Sequence, residues 1–304
     1  MTMRPRSAPA GSLRPGEFLV EALIRVLGFS TVGIVLLIFL FLAREGIPAF
    51  FEVPASNLFG TRWYPTFGLF GTVPLLLGSI LVTVLAVLIA LPLGVATAVF
   101  VREVAPRWAR EILKPMIEVL AGIPSVVLGF FGMTLIAPFI REAFGAPTGL
   151  TAFTGALLLA YMSLPTVISV ADDALDAVPR SYRDASLAMG ATHWQTIWRV
   201  VVPAARSGVL TAVMLGMGRA IGETMAVMMV TGNAARLPLG LRALFRPVRT
   251  MTATIAAEMG EVARGSVHFH ALFAIGIVLF VLTFLINLAA ARSIFARRRR
   301  GGLR

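Results

Sequence analysis

Long apolar runs separated by short, basic, turn-rich segments set the pattern of this chain. Several runs exceed the roughly 18 residues that mark a membrane-spanning helix. Six spans fit: near Val26–Ala43, then within Pro74–Val101, Val119–Ile140, Leu150–Ala171, Ser207–Thr231 and Ala271–Ala291. The runs are continuous rather than alternating, which argues against a β-barrel. The pattern predicts an all-α polytopic membrane protein with six transmembrane helices. Pro92, Pro124 and Pro165 fall inside or at the ends of spans. Backbone groups freed there need neighbouring helices or a water-lined cavity.

Composition agrees. Apolar residues make up 58% of the 304 and charged residues 14%, against about 25% charge in soluble domains. The net charge of +12 does not imply nucleic acid, because the basic residues track loops and tails. With the N-terminus inside, the inner segments hold 18 Lys and Arg and the outer loops 8. This bias predicts both termini in the cytoplasm. Residues 1–25 form a polar, basic tail, too long for the leading region of a cleavable signal, and the run after it exceeds a signal core. The span domain is expected over 26–292, and a basic tail over 293–304, where Arg297–Arg300 suit anionic lipid. The absence of cysteine excludes disulfides and thiolate sites. His268 and His270 lie two apart, a spacing that does not share a helical face, so no metal site is expected.

The stretch between spans four and five is not a plain linker. Pro179 suits a helix first turn, Arg180–Met189 reads as helix, and Gly190 suits the positive φ of a C′ residue. Thr192 with Gln195 forms a capping box for a second helix, which Pro203 closes or bends. The compact helix–turn–helix exposes Tyr182, Leu187, Met189 and Trp194. It fits docking to a soluble partner or an interfacial helix lying on headgroups.

Span five carries a second anomaly. Arg219 and Glu223 are the only charges between Ser207 and Ala235. Each would cost about 2.5–3.5 kcal/mol at the bilayer centre. An i, i+4 spacing on one helical face predicts that they meet. Gly218 and Gly222 form a G-x-x-x-G step that lets a second helix approach.

These residues carry a resemblance. Asp184-Ala185-Ser186, Gly190 and Val200-Val201-Val202-Pro203 match the spacing of the EAA, Gly, I-x-L-P permease signature of ABC importers. Asp replaces Glu, Ser replaces the second Ala, and Val replaces Ile and Leu. T-R-W-Y-P (Thr61–Pro65), the run Leu113–Gly132 and G-R-A-I-G-E-T-M-A-V (Gly218–Val227) resemble the phosphate-specific ABC importer permeases. The M-A-V continuation is similar to the PstC-type rather than the PstA-type subunit. The resemblance spans roughly residues 58–292.

It implies a type I ABC importer permease fold (MetI-like) in a prokaryotic inner membrane. The implied partners are a PstA-type subunit, an ATPase dimer and an extracytoplasmic phosphate-binding protein. It also implies that the loop 179–206 is the coupling element, with Tyr182, Asp184, Ala185, Ser186, Met189, Gly190 and Pro203 facing or shaping the ATPase contact. A transport role for Arg219 and Glu223 follows, with Thr224 beside them. Arg offers a planar fork matching phosphate oxygens. Glu223 would hold it when phosphate is absent and keep binding weak. The bland alternative is a neutralised pair that fixes helix packing.

No G-x-x-x-x-G-K-[ST] loop is present and Lys114 is the single lysine. ATP and Mg would be used by a partner chain, and no cofactor is expected in this one. A stand-alone secondary anion transporter would need no knuckle. A membrane-embedded enzyme would need a metal cluster or an activated nucleophile. Glu118 is expected at the interface before span three, and Asp172, Asp173 and Asp176 at a solvated helix end. Met251–Val262 reads as an amphipathic external helix, with Glu258 and Glu261 either solvated or lining a gate. Ser125 and Thr224 either donate to an anion or bond their own backbone. The 13 methionines suit adaptable packing.

Overall fold

The structure is a computed structural model that describes residues 15–301. Residues 1–14 of the expected N-terminal tail, residues 302–304 and the side chains of Arg297–Arg300 lie outside the described residues. Among the described residues, six helical stretches are long and apolar enough to cross a membrane.

Helix α1 (Pro15–Gly46) starts well ahead of the expected span. Two short helices follow, α2 (Ala49–Glu52) and α3 (Ala55–Leu58), then a hairpin of β1 (Trp63–Tyr64) and β2 (Leu69–Phe70). The second span is α4 (Val73–Val99), extended by a π-helical turn at Phe100–Val104. Next come α5 (Arg107–Ala121), α6 (Ser125–Phe131), a π turn at Gly132–Ile136 and α7 (Ala137–Phe144). The fourth span is α8 (Ala152–Asp176). The knuckle is α9 (Arg180–Ala188) and α10 (His193–Thr196). A π turn at Ile197–Val201 leads into α11 (Val202–Gly222), followed by α12 (Met225–Val230). Helices α13 (Met251–Glu258) and α14 (Val267–Gly301) complete the chain.

Two of the π turns have a shared local cause. Pro138 and Pro203 each sit two residues past one, in a helix that continues. Proline lacks an N–H, and its ring crowds the carbonyl four residues back. That carbonyl belongs to Thr134 or Arg199, inside the widened turn, so the extra residue relieves the clash. Pro203 thus bends the knuckle helix into span five rather than closing it.

The centre of the bundle is α4, α8 and α11, packed through small residues. Along α11, Gly208, Ala212, Gly216 and Ala220 recur every fourth position. A Cβ on Gly208 would lie 2.3 Å from the Ala174 side chain, and one on Gly216 2.5 Å from Val167. Small side chains let backbones approach where burial of apolar surface supplies no drive between helices. The working seam is therefore not Gly218–Gly222. A Cβ at either position would meet nothing within 4 Å, so that step faces away from the chain's own helices. Helix α1 rests against α14, with Phe39 on Phe280 at 4.9 Å and Phe41 on Phe273 at 5.6 Å between ring centroids. Most of its other described large apolar side chains are exposed, as lipid-facing residues must be.

The third span is Ser125–Phe144, shifted a few residues from the expected Val119–Ile140. Helix α5 precedes it and is set off by the break at Gly122-Ile123-Pro124. Lys114 of α5 meets Asp172 of α8 at 3.0 Å. Seven residues on, a rise of about 10.5 Å, Ala121 shares Arg219 with Thr166 of α8. Thr166 lies six residues back along α8, about 9 Å. The two helices thus run antiparallel, side by side. The polar pattern of α5 hides this because Arg110 and Lys114 are met by the end of α4 and by α8.

At the end of the bundle opposite the knuckle, a cap covers α14 and the start of α4. Trp63 is 2% exposed and packs with Phe70, Leu75, Met251 and Leu272. Its indole Nε1 donates to Glu258 at 3.1 Å, and Glu258 also holds Arg249 at 2.8 Å and His268 at 2.8 Å. Glu258 is a structural hub, not a solvated surface residue. Helix α13 is shorter than the expected Met251–Val262, and it is no amphipathic surface element. All four residues of its first turn are buried. Met251 N–H donates to the Ser79 hydroxyl at 2.9 Å. His270 pairs with Glu52 at 3.0 Å, and among the described residues no cluster of metal-binding side chains forms.

Candidate functional site

Arg219 and Glu223 do not behave as the pattern predicts. Helix α11 ends at Gly222, and Glu223 is extended, with φ −69° and ψ 129°. The i, i+4 relation is lost with the helix. Glu223 Oε1 accepts from Thr224 N–H at 3.2 Å and Ala226 N–H at 3.3 Å. The carboxylate therefore caps the start of α12, satisfying donors that a helix beginning leaves open. Among the described residues no carboxylate pairs with Arg219. Its guanidinium donates to Thr166 Oγ1 at 3.3 Å and, at 3.5 Å, to the carbonyl of Ala121. That carbonyl belongs to the last turn of α5, the negative end of its dipole. The expected ion pair is replaced by an exposed cation and a carboxylate spent on a helix cap.

Two breaks meet at this level. One is Gly122–Pro124 between α5 and α6, and the other is Glu223–Thr224 between α11 and α12. Past the breaks α6 and α12 pack closely, since a Cβ on Gly129 would lie 3.0 Å from the Ala226 Cα. Thr166 stands ten residues from the knuckle end of α8, about 15 Å along the axis. Arg219 thus sits well inside the bundle's length. Thr224 Oγ1 donates to its own backbone, to Gly222 at 3.2 Å. Glu118 lies exposed in the last turns of α5.

The knuckle forms as its residues dictate. Gly190 takes φ +83°. Thr192 Oγ1 accepts from Gln195 N–H at 3.2 Å, and Gln195 Oε1 accepts from Thr192 N–H at 3.0 Å. Pro179 is the N-cap of α9 rather than a residue of its first turn. Ser186 and Thr196 hydroxyls meet at 2.9 Å and staple α9 to α10. Tyr182, Asp184, Ala185, Met189 and Gly190 are exposed, Ser186 is half-buried, and Pro203 is exposed at the bend. Met189 is 88% exposed and Trp194 59%.

Sequence reasoning missed what fastens the knuckle. Arg183 donates to Glu103 at 2.6 Å, to the α8 carbonyl of Leu175 at 3.0 Å and to the carbonyl of Val178 just past α8 at 2.7 Å. Arg110 donates to the carbonyls of Val101 at 2.9 Å and Arg102 at 2.5 Å. Arg102 pairs with Asp176. Asp172 is not solvated: it is 3% exposed and held by Lys114. Of the three expected end-of-helix aspartates, Asp173 and Asp176 keep their carboxylates largely exposed. The only sequence signal was the i, i+4 spacing of Arg110 and Lys114, opposite acids in distant segments.

Six spans, two helix breaks deep in the bundle and an ordered knuckle define a multi-pass inner-membrane permease. The chain belongs to the family of binding-protein-dependent transport system inner membrane components, whose model matches residues 90–301. It is 42% identical over 275 residues to the probable ABC transporter permease protein YqgH of Bacillus subtilis, covering 89% of this chain and 87% of that one. It is 38% identical to the phosphate transport system permease protein PstC of Mesorhizobium japonicum, covering 80% and 78%. The fold is that of solved importers. The methionine ABC transporter MetNI superposes with a TM-score of 0.57 at 19% identity, over 72% of this chain and 92% of that one. A bacterial alginate ABC transporter in complex with its periplasmic protein gives 0.60 at 16% identity, over 90% and 94%.

Proposed function

We propose that this chain is one permease half of an ATP-driven importer of inorganic phosphate. Arg219 carries the reading. A cation with no carboxylate partner among the described residues, deep in the bundle beside two helix breaks, is a transient resting place for an anion. Phosphate is a mono- to dianion near neutral pH and does not cross hydrocarbon bare. A guanidinium stays charged throughout that range and binds phosphate oxygens in a planar fork. Thr224, adjacent to the break, is a second donor once it turns from its own backbone. Glu223 limits affinity by its charge rather than by holding Arg219.

The rest of the machine lies in other chains. A PstA-type subunit completes the pathway, an extracytoplasmic phosphate-binding protein supplies selectivity, and an ATPase dimer docks on the knuckle. Tyr182, Asp184, Ala185, Met189 and Gly190 offer it an ordered, partly apolar surface. Both termini are cytoplasmic, in keeping with the bias of 18 inner against 8 outer basic residues. The chain binds no cofactor, and ATP with Mg is used by the partner.

The test is labelled-phosphate uptake in cells whose only phosphate permease contains this chain, at matched membrane levels. Arg219→Gln is expected to abolish uptake while the ATPase subunit still co-purifies. Tyr182→Asp is expected to lose that subunit. Normal uptake by Arg219→Gln would sink the pathway assignment. A stand-alone anion transporter would be indicated by uptake that survives removal of the ATPase subunit.

A further inference from the structure

The knuckle and Arg219 lie at different depths, and something must carry movement between them. The contacts on the knuckle side converge on one element. Arg183 of α9 grips Glu103, whose side chain is 7% exposed, in the π turn at the end of α4. His193 of α10 meets the Glu103 carbonyl at 3.2 Å. The neighbouring carbonyls of that turn, Val101 and Arg102, are both taken by Arg110 of α5. Both helices of the knuckle therefore hold one side of the turn, and α5 holds the other. Helix α5 ends at Ala121, whose carbonyl accepts from Arg219.

We propose that α5 is the transmission element between the coupling knuckle and Arg219, with Arg183, Glu103 and Arg110 as its positioning residues. A displacement of α9 moves Glu103, the π turn passes it to Arg110, and α5 carries it to Ala121. Three features suit this role. A π turn is a helical register with an extra residue, found frequently at functional sites. The Arg183–Glu103 and Arg110 contacts are short and largely shielded from water, so they do not slip. The Gly122–Pro124 break frees the far end of α5 from α6. Arg219 is then released from, or returned to, the Ala121 carbonyl as α5 moves.

The proposal rests on the transport reading above, so its test includes a readout that does not need phosphate. The complete complex is reconstituted in vesicles, with phosphate uptake and ATP hydrolysis measured together. Arg110→Ala is expected to lower phosphate moved per ATP by roughly fivefold or more, the size of an ordinary coupling effect. ATP hydrolysis should stay near wild type, and Arg110→Lys, which keeps a cationic donor, should recover much of the ratio. An unchanged ratio overturns the proposal, as does a parallel fall in uptake and hydrolysis. Should Arg110→Ala fail to accumulate, Arg110→Gln is held to the same criteria.

The second readout uses spin labels at Val119→Cys on α5 and Leu239→Cys in the segment between α12 and α13, in a chain with no native cysteine. Both positions are exposed. Nucleotide should change the label separation in the wild-type background and not with Arg110→Ala. A change that persists in Arg110→Ala overturns the proposal. A wild-type complex that shows the nucleotide-driven change but moves no phosphate overturns the substrate assignment alone.

Discussion

Arg219 and Glu223 are separated by a helix terminus rather than joined by an ion pair. Glu223 turns into the backbone N–H groups of α12, and Arg219 reaches toward Thr166 and the end of α5. The two residues therefore make separable contributions. Arg219 holds only two long hydrogen bonds, so Arg219→Gln is expected to cost no more than about 1 kcal/mol of stability. Thermal unfolding of the purified complex in detergent should be nearly unchanged while uptake is lost. A large drop in melting temperature would place Arg219 in packing instead.

Glu223 acts on the fold through its Oε1 cap. Glu223→Gln retains an acceptor at the same position and is expected to leave the melting temperature near wild type. Glu223→Ala removes the cap and should destabilise by about 0.5–2 kcal/mol. Equal melting temperatures for the two variants would show that the cap contributes nothing.

Glu258 joins Trp63, Arg249 and His268 beneath the cap. Arg249 Nε already lacks a partner, so Glu258→Ala leaves a largely buried guanidinium unneutralised. The expected loss is about 3–5 kcal/mol, seen as a lowered melting temperature and faster proteolysis of the cap. Trp63→Phe keeps the ring and deletes the donor. It should cost about 1.5–3 kcal/mol, as a hydrogen bond to a charged acceptor does.

Lys114 holds the buried carboxylate of Asp172, whose second oxygen has no hydrogen-bond partner. Lys114→Met should destabilise by about 3–5 kcal/mol, because it strands the carboxylate. Adding Asp172→Leu removes the stranded charge and should recover most of the loss. A double variant as unstable as the single one would show that the pair's polarity, not its charge balance, holds α5 to α8.

The spans were legible because their length and hydropathy are local properties. The knuckle was legible for the same reason, since Gly190, Thr192 and Gln195 act within a few residues of each other. Asp172, Glu103 and Glu258 were not. Each is neutralised by a residue at least nine positions away, and by 58 and 80 in the first two cases. A carboxylate's partner at that range is set by packing. The seating of α5 beside α8 was not legible either, because Arg110 and Lys114 find their partners at the end of α4 and on α8.

The sequence by itself determined six crossings, the ordered knuckle and the presence of one cation and one anion in span five. Those follow from the cost of exposing charge and unpaired backbone to hydrocarbon, which every residue carries with it. The tertiary structure decided what the charges do. A helix that ends at Gly222 abolishes the face Arg219 and Glu223 would have shared. The N–H groups opened at the start of α12 take the carboxylate, and among the described residues the guanidinium is left without a carboxylate partner.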